Sequence, residues 1–235
     1  MDRRPLHRLL TRCSGIAQAV APGAQDVARN CDAHAPLVVL LKHFFFAELR
    51  RAPGSYLAPD DDAAARWEQR LASSRGLRVG ICWAGDPANK NDARRSMTLA
   101  GLAPLLAVPG VCWVSLQKDA PATQLAQCRQ PAIHDWTAEL GDFADTAALM
   151  SRLDLVISVN TAVAHLAGAL GKPVWILYSG NEDRRWEVVD DAQRLYAQAR
   201  LCRQPAPGDW RAVAESAAKA LRDEADRHAN AAARR

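Results

Sequence analysis

From Leu77 onward, short apolar runs alternate with alanine-rich or amphipathic stretches, and this alternation constrains the fold more than any other feature of the sequence. Such a pattern is typical of a parallel β-sheet whose strands are joined by crossover helices. The runs are apolar at successive positions, as strands covered on both faces require. The sequence therefore predicts an α/β domain with a Rossmann-like parallel sheet and helices on both of its faces.

The elements are predicted from apolar runs, cap residues and stop signals. Strong strands are predicted at residues 77–83, 111–116, 155–159 and 174–178, with weaker ones at 132–135 and 194–197. Helices are predicted at residues 63–73, 99–107, 143–153, 161–170 and 209–227, before a polar tail at 228–235 that is expected to fray. Asp61 or Asp62 is expected to cap the first of these helices, and Asp142 the third.

The chain divides into two unequal parts. Its 235 residues fall between one and two domains of about 150 residues. Residues 1–60 show no repeating βα units and end in a connector rich in proline and aspartate, whereas residues 61–235 suffice for a complete Rossmann-like domain. We therefore predict a partial N-terminal domain with its connector over 1–60 and a complete domain over 61–235.

Charge and cysteine content exclude several classes of protein. Thirty Lys and Arg residues against 26 Asp and Glu give a net charge of +4, too mild and too evenly spread to favour a nucleic-acid partner. The six cysteines form no C-x-x-C pair, so neither a zinc site nor a disulfide framework is predicted, and a cytoplasmic location is expected. No apolar run approaches the ~18 residues of a membrane span, and no secretory signal follows the basic start.

A strand that runs directly into a helix is the most informative segment. Only small side chains occupy the first turn after Thr161, so free backbone N–H groups and the positive helix end would face the crevice beyond the strand. His165 lies one turn further on the same helix face, where its imidazole can donate to a bound anion. This pattern predicts a phosphate site. The alternative is that Thr161 only caps the helix and His165 packs beneath the sheet.

Two further loops follow predicted strands. The loop at residues 83–96 places Lys90 and Arg95, as candidate diphosphate contacts, together with Gly85, and the alternative is an ordinary solvated loop. The segment at 179–186 mixes acids, cations and an aromatic residue and is predicted to line the same crevice. Neither a P-loop nor a G-x-G-x-x-G turn is present, which argues against an NTPase or a dinucleotide dehydrogenase.

Four segments resemble the C-terminal domain of family 9 glycosyltransferases, above all the heptosyltransferase-like domain that ends many bacterial tetratricopeptide-repeat proteins. These segments are residues 79–96, 114–118, 142–147 and 156–174, within a similarity that covers about residues 77–215. The resemblance implies a GT-B architecture, in which two Rossmann-like domains face each other across a cleft and the C-terminal one binds a nucleoside-diphosphate sugar. Residues 9–60 resemble only the tail of the N-terminal domain.

The resemblance also implies roles for individual residues. The family's Asp-Thr-x-x-x-His signature falls on Asn160, Thr161 and His165, so an amide replaces the family's carboxylate. Lys90 matches the cation that neutralises the leaving diphosphate in metal-independent transfer. Lys90 and His165 are thus the implied catalytic residues, and no cofactor or metal is expected. The full set expected at the donor comprises Gly85, Lys90, Arg95, Asn160, Thr161, Ala162 and His165.

Three functions follow from these observations. The first is transfer of a hexosyl or heptosyl group from a nucleoside-diphosphate sugar to an acceptor glycan, lipid or protein. The second is a non-catalytic or truncated sugar-nucleotide-binding module of a tetratricopeptide-repeat protein, because the stretch in which the family carries its catalytic base is absent. The third is a Rossmann-like domain for another phosphorylated ligand, since fold alone does not fix function.

Overall fold

The computed structural model describes residues 4–13, 15–20, 32–33, 54–128, 131–180, 186, 188–189, 192–193 and 195–234. Much of the predicted partial N-terminal domain lies outside these ranges, as do residues 181–185 of the third candidate loop. The division of the chain into residues 1–60 and 61–235 therefore stays a prediction. None of the described helices is long and apolar enough to cross a membrane.

Six parallel strands form the central sheet in the order β3-β2-β1-β4-β5-β8. They are β1 Leu77–Cys82, β2 Val111–Ser115, β3 Ile133–His134, β4 Leu155–Val159, β5 Val174–Tyr178 and β8 Ala199–Arg203, while β6 Val188–Val189 and β7 Ala192–Gln193 form a separate antiparallel pair. The predicted Rossmann-like parallel sheet is confirmed. Strand order reverses between β1 and β4, which places the ligand crevice of such folds at their carboxyl ends.

Helices cover both faces of the sheet. The α-helices are α1 Arg4–Leu10, α2 Asp61–Leu71, α3 Asp92–Arg95, α4 Ala103–Leu106, α5 Phe143–Ser151, α6 Ala162–Ala169 and α7 Trp210–Ala233. Short 3-10 helices occupy Ala100–Leu102, Ala120–Gln127 and Thr137–Glu139. One core lies between the sheet and α2, α5 and α6, and a second lies between the sheet, α4 and α7.

Several predicted boundaries are wrong. Residues 195–197 of the strand predicted at 194–197 form no strand; a turn lies at 197–198, and the edge strand β8 begins at Ala199. Its exposed residues, Arg200 and Arg203, interrupt the apolar pattern, so no apolar run marks it. The cap of α2 is Asp60, whose carboxylate accepts the Ala63 N–H at 2.9 Å. The tail beyond Arg227 continues α7 because alanine favours the helix.

The helix α1 packs on α5. Leu9 is buried, with 2% of its surface exposed, in the core that α2, α5 and α6 share. The Arg8 guanidinium lies 3.0 Å from the carboxylate of Asp142 and 3.1 Å from that of Asp145. Asp142 also caps α5 by accepting the Ala144 N–H at 2.8 Å, as the sequence indicates. The amino end of the chain is thereby fixed to the sheet domain.

The connector before α2 contacts the same domain. The N–H groups of Tyr56 and Leu57 both lie 3.1 Å from the Ala169 carbonyl, at the end of α6. Gly171 adopts a left-handed backbone with φ of 69°, and a Cβ there would lie 3.1 Å from the Gly54 carbonyl oxygen. Only glycine suits this close approach of two chain segments. The connector therefore packs directly against the helix whose other end faces the crevice.

Candidate functional site

The crevice at the carboxyl ends of β1 and β4 begins at the cap of α6. Thr161 has an extended backbone and its Oγ1 accepts the Val163 N–H at 3.3 Å, as the sequence predicts for an N-cap. The same hydroxyl lies 3.0 Å from the Ser158 hydroxyl inside the buried end of β4. Thr161 is itself buried, with 9% exposure. The start of α6 is thus fixed to the strand before it.

The first turn of α6 leaves a backbone donor for a ligand. The first helical hydrogen bond runs from the His165 N–H to the Thr161 carbonyl at 3.4 Å. The N–H groups of Ala162 and Ala164 precede it and have no carbonyl within the helix to pair with. Ala162 is exposed and carries only a methyl group. Ala164 is fully buried, so this helix end can offer the Ala162 N–H and the positive pole of the helix to an anion.

The loop after β1 is closed at its base. The Met97 N–H donates to the Trp83 carbonyl at 2.8 Å, and the Gly85 N–H donates to the Ser96 hydroxyl at 2.9 Å. Lys90 lies between these contacts in the exposed part of the loop and makes no hydrogen bond or ion pair with other residues described here. Its side chain is exposed, and its contact with a diphosphate stays a prediction.

Arg95 joins this loop to the start of α6. Its Nη1 donates to the Asn160 carbonyl at 3.3 Å, and its Nε donates to Asp92 at 3.2 Å. The guanidinium lies against Gly85, where a Cβ would come within 2.5 Å of Nη2. The structure therefore brings Gly85, Arg95 and Asn160 together, although they come from two different loops. Arg95 therefore brings a positive charge into contact with the backbone immediately after β4.

His165 is surrounded by aromatic side chains. Its ring stacks on Trp186 with centroids 4.7 Å apart, and its Nδ1 lies 3.2 Å from the Tyr196 hydroxyl. The Trp186 indole donates to Asn160 Oδ1 at 2.9 Å. These contacts give His165 the packing role of the alternative reading, and its role toward an anion stays a prediction. Asn160 uses its amide oxygen to hold an aromatic side chain.

Gln117 is a site residue that sequence reasoning did not single out. Only 3% of it is exposed, and its Oε1 accepts the N–H groups of Trp83 and Ala84 at 3.0 and 2.8 Å. It therefore fixes the point at which the β1 loop leaves the sheet. A buried polar residue immediately after the apolar run of β2 was the available signal, because such a group must find internal partners.

Cys82 lies at the base of the crevice, 3.9 Å from the Thr161 hydroxyl. Burial raises the pKa of its thiol to about 11, so it stays neutral at physiological pH.

We expect iodoacetamide at pH 8 to label the half-buried Cys128 of the folded chain far faster than Cys82, because roughly one Cys82 in a thousand is then thiolate. Peptide mass spectrometry measures this, with labelling in denaturant as the control; equal rates in the folded chain would contradict it.

A hollow of about 870 Å³ lies elsewhere, against α4 and the 3-10 helix Ala120–Gln127. It is lined by Leu99, Leu106, Val108, Gln124, Cys128 and several small residues, none of them charged. A diphosphate would find no cation among these lining residues. The crevice between β1 and β4 is therefore the better candidate for an anionic ligand.

Part of the chain matches a known protein family. Residues 114–206 match the model of glycosyltransferase family 9 (heptosyltransferase). This range includes β4, Thr161 and α6, so the resemblance to that family is confirmed for the strand and helix of the crevice. The loop that carries Lys90 lies before the matched range. Protein FlbA of Caulobacter vibrioides is 29% identical over 175 residues, which are 72% of this chain and 29% of FlbA.

Two solved structures are also similar. The E. coli ADP-heptose LPS heptosyltransferase II is 19% identical with a TM-score of 0.48, over 72% of this chain and 54% of that one. A family 9 glycosyl transferase from Veillonella parvula is 16% identical with a TM-score of 0.48, over 65% of this chain and 44% of that one. The chain spans about half the length of these structures and under a third of FlbA.

Proposed function

We propose that this chain binds a nucleoside-diphosphate sugar at the amino end of α6 and takes part in the transfer of the sugar to an acceptor. The premise is that residues 114–206 form a glycosyltransferase family 9 segment. The observation that carries the proposal is the cap of α6. Its exposed backbone donor, the Ala162 N–H, lies at the reversal of strand order, inside the matched range and close to the contact of Arg95 with the Asn160 carbonyl.

The diphosphate of such a donor fits the groups at this helix end. The N–H group of Ala162 would donate to one of its oxygens, and Thr161 would hold the turn in place. Arg95 and Lys90 would offset its negative charge. During transfer the bond from the sugar anomeric carbon to the diphosphate breaks, and the acceptor hydroxyl oxygen bonds to that carbon and loses its proton. Cations near the leaving diphosphate stabilise the charge that develops there.

The proton acceptor for this step is not assigned to a residue of the chain. A second candidate function is therefore a donor-binding module without turnover, favoured by a family match that covers only residues 114–206. Nucleotide binding without hydrolysis or transfer of the sugar would identify this second function.

Calorimetric titration with ADP, UDP and GDP tests the donor site directly. We expect one of them to bind with micromolar affinity, and Lys90→Ala to weaken it tenfold or more, about 1.4 kcal/mol, by removing a cation from the diphosphate. Lys219→Ala is the matched control, because Lys219 is an exposed lysine of α7 and its loss should leave the affinity unchanged. Repeating the titration in EDTA tests whether binding needs a metal.

A folded chain that binds none of the three nucleotides would contradict the donor site. Equal losses in the Lys90→Ala and Lys219→Ala variants would show that only net charge matters. A loss confined to Lys90→Ala would place the diphosphate beside the β1 loop, and the preferred nucleotide would then identify the donor base.

A further inference from the structure

The loop after β1 is tied together through one carboxylate oxygen, Asp92 Oδ1. It accepts the Ser96 hydroxyl at 2.8 Å and the Arg95 Nε–H at 3.2 Å. The Ser96 hydroxyl in turn accepts the Gly85 N–H at 2.9 Å. Two otherwise separate arms of the loop, the glycine turn and the arginine, thus meet at the same atom.

The second arm reaches the proposed donor site. Arg95 passes from Asp92 to the Asn160 carbonyl, immediately before the cap of α6. The side chains of Asp92 and Arg95 are 14% and 21% exposed, so solvent screens this pair less than it screens an ion pair on the open surface. A charged acceptor also strengthens both hydrogen bonds relative to bonds between neutral groups. The contacts therefore restrict where the guanidinium can lie.

A carboxylate beside an anion site needs an explanation, because like charges repel. Direct contact between Asp92 and a diphosphate would oppose binding. Its contacts are instead directed at Ser96 and at Arg95, and Arg95 in turn contacts the Asn160 carbonyl after β4. The contribution of Asp92 is then to orient a cation, and the cost of its negative charge is offset by the preorganised donors.

We propose that Asp92 is a positioning residue for donor binding, which holds the Arg95 guanidinium and the Gly85 turn against the amino end of α6. This inference rests on the proposed function, since it supposes that a nucleoside diphosphate binds there. It differs from the donor contacts inferred above because Asp92 touches no ligand and acts only through Arg95 and Ser96.

The test separates geometry from charge. Asp92→Ala removes the acceptor, and we expect it to weaken binding of the preferred nucleotide diphosphate tenfold or more in calorimetry. Asp92→Asn keeps an oxygen at the same position, so it should restore the affinity to within about threefold of the unmodified chain. Asp86→Asn is the matched control, because it removes the same charge from the same loop without contacting Arg95. It should bind as the unmodified chain does.

Amide hydrogen exchange at Gly85 provides a second measurement, which needs no ligand. Exchange should accelerate in Asp92→Ala and in Ser96→Ala, and stay slow in Asp92→Asn. If Asp92→Ala does not fold, Ser96→Ala still breaks the glycine arm, and it should weaken nucleotide binding by less than tenfold.

The outcomes distinguish this inference from the proposed function. Unchanged nucleotide affinity in Asp92→Ala would overturn the positioning role and leave the donor site standing. Equal losses in Asp92→Ala and Asp92→Asn would also overturn it, because charge rather than geometry would then matter. If the unmodified chain binds no nucleotide diphosphate, the proposed function fails and the positioning role fails with it, whatever the exchange at Gly85 shows.

Discussion

Replacing Trp113 with alanine is expected to lower the free energy of unfolding by about 3–5 kcal/mol, the largest effect we expect of any single change discussed. Trp113 lies in the middle of β2, between β1 and β3, and only 1% of its surface is exposed. Its indole fills the core that α4 and α7 share with the sheet. Alanine would lose that apolar contact and leave a cavity which strands on both sides prevent from collapsing.

The matched control is Trp113→Phe. The indole N–H of Trp113 has no hydrogen-bond partner among the described residues, so phenylalanine forfeits volume but no hydrogen bond. We expect it to cost less than about 1.5 kcal/mol. Urea unfolding followed by circular dichroism measures the free energy of unfolding of both variants. In thermal unfolding, the alanine variant should melt about 10 °C below the unmodified chain. A cost below about 1 kcal/mol for Trp113→Ala would mean that β2 does not anchor this core.

The four strong strands were predictable to within one residue because they are buried on both faces. β4 has all five residues buried, and β5 does also, so each reads as a continuous apolar run. β8 was not predicted at its true position, because the exposed Arg200 and Arg203 interrupt its apolar residues. α1 was not predicted, because seven residues make too few turns to show a helical period. The helix is stabilised by the packing of Leu9 on α5.

The candidate site was predictable only where it is local. The capping of α6 by Thr161 follows from adjacent residues, and it is confirmed. The contact of Arg95 with Asn160 joins residues 65 apart in sequence, and that of Trp186 with Asn160 joins residues 26 apart. Such pairings depend on strand order and on loop conformation, which a single sequence does not encode in any short pattern. The sequence placed these residues in one crevice without revealing which would bind which.

Gly168 provides the second large effect, because its place in α6 is set by a tertiary contact. A Cβ at this position would lie 2.2 Å from Cγ of Tyr196 and 2.6 Å or less from both neighbouring ring carbons. Helix propensity alone favours alanine over glycine by about 1 kcal/mol. The steric overlap outweighs that gain, since Tyr196 is buried and its hydroxyl lies 3.2 Å from His165. We therefore expect Gly168→Ala to destabilise the fold by about 1–3 kcal/mol.

Gly101→Ala and Tyr196→Ala isolate the cause of this loss. At Gly101 the nearest neighbour of a Cβ is 3.5 Å away, so alanine should leave stability unchanged or slightly raised in the same urea titration. In a Tyr196→Ala background the overlap at Gly168 disappears, and Gly168→Ala should become stabilising through propensity alone. That change of sign is the decisive result, because a loss that persists without the Tyr196 ring would place its cause within α6. If His165 binds the diphosphate, Gly168→Ala should also weaken nucleotide binding, because a displaced Tyr196 no longer holds the His165 imidazole in place.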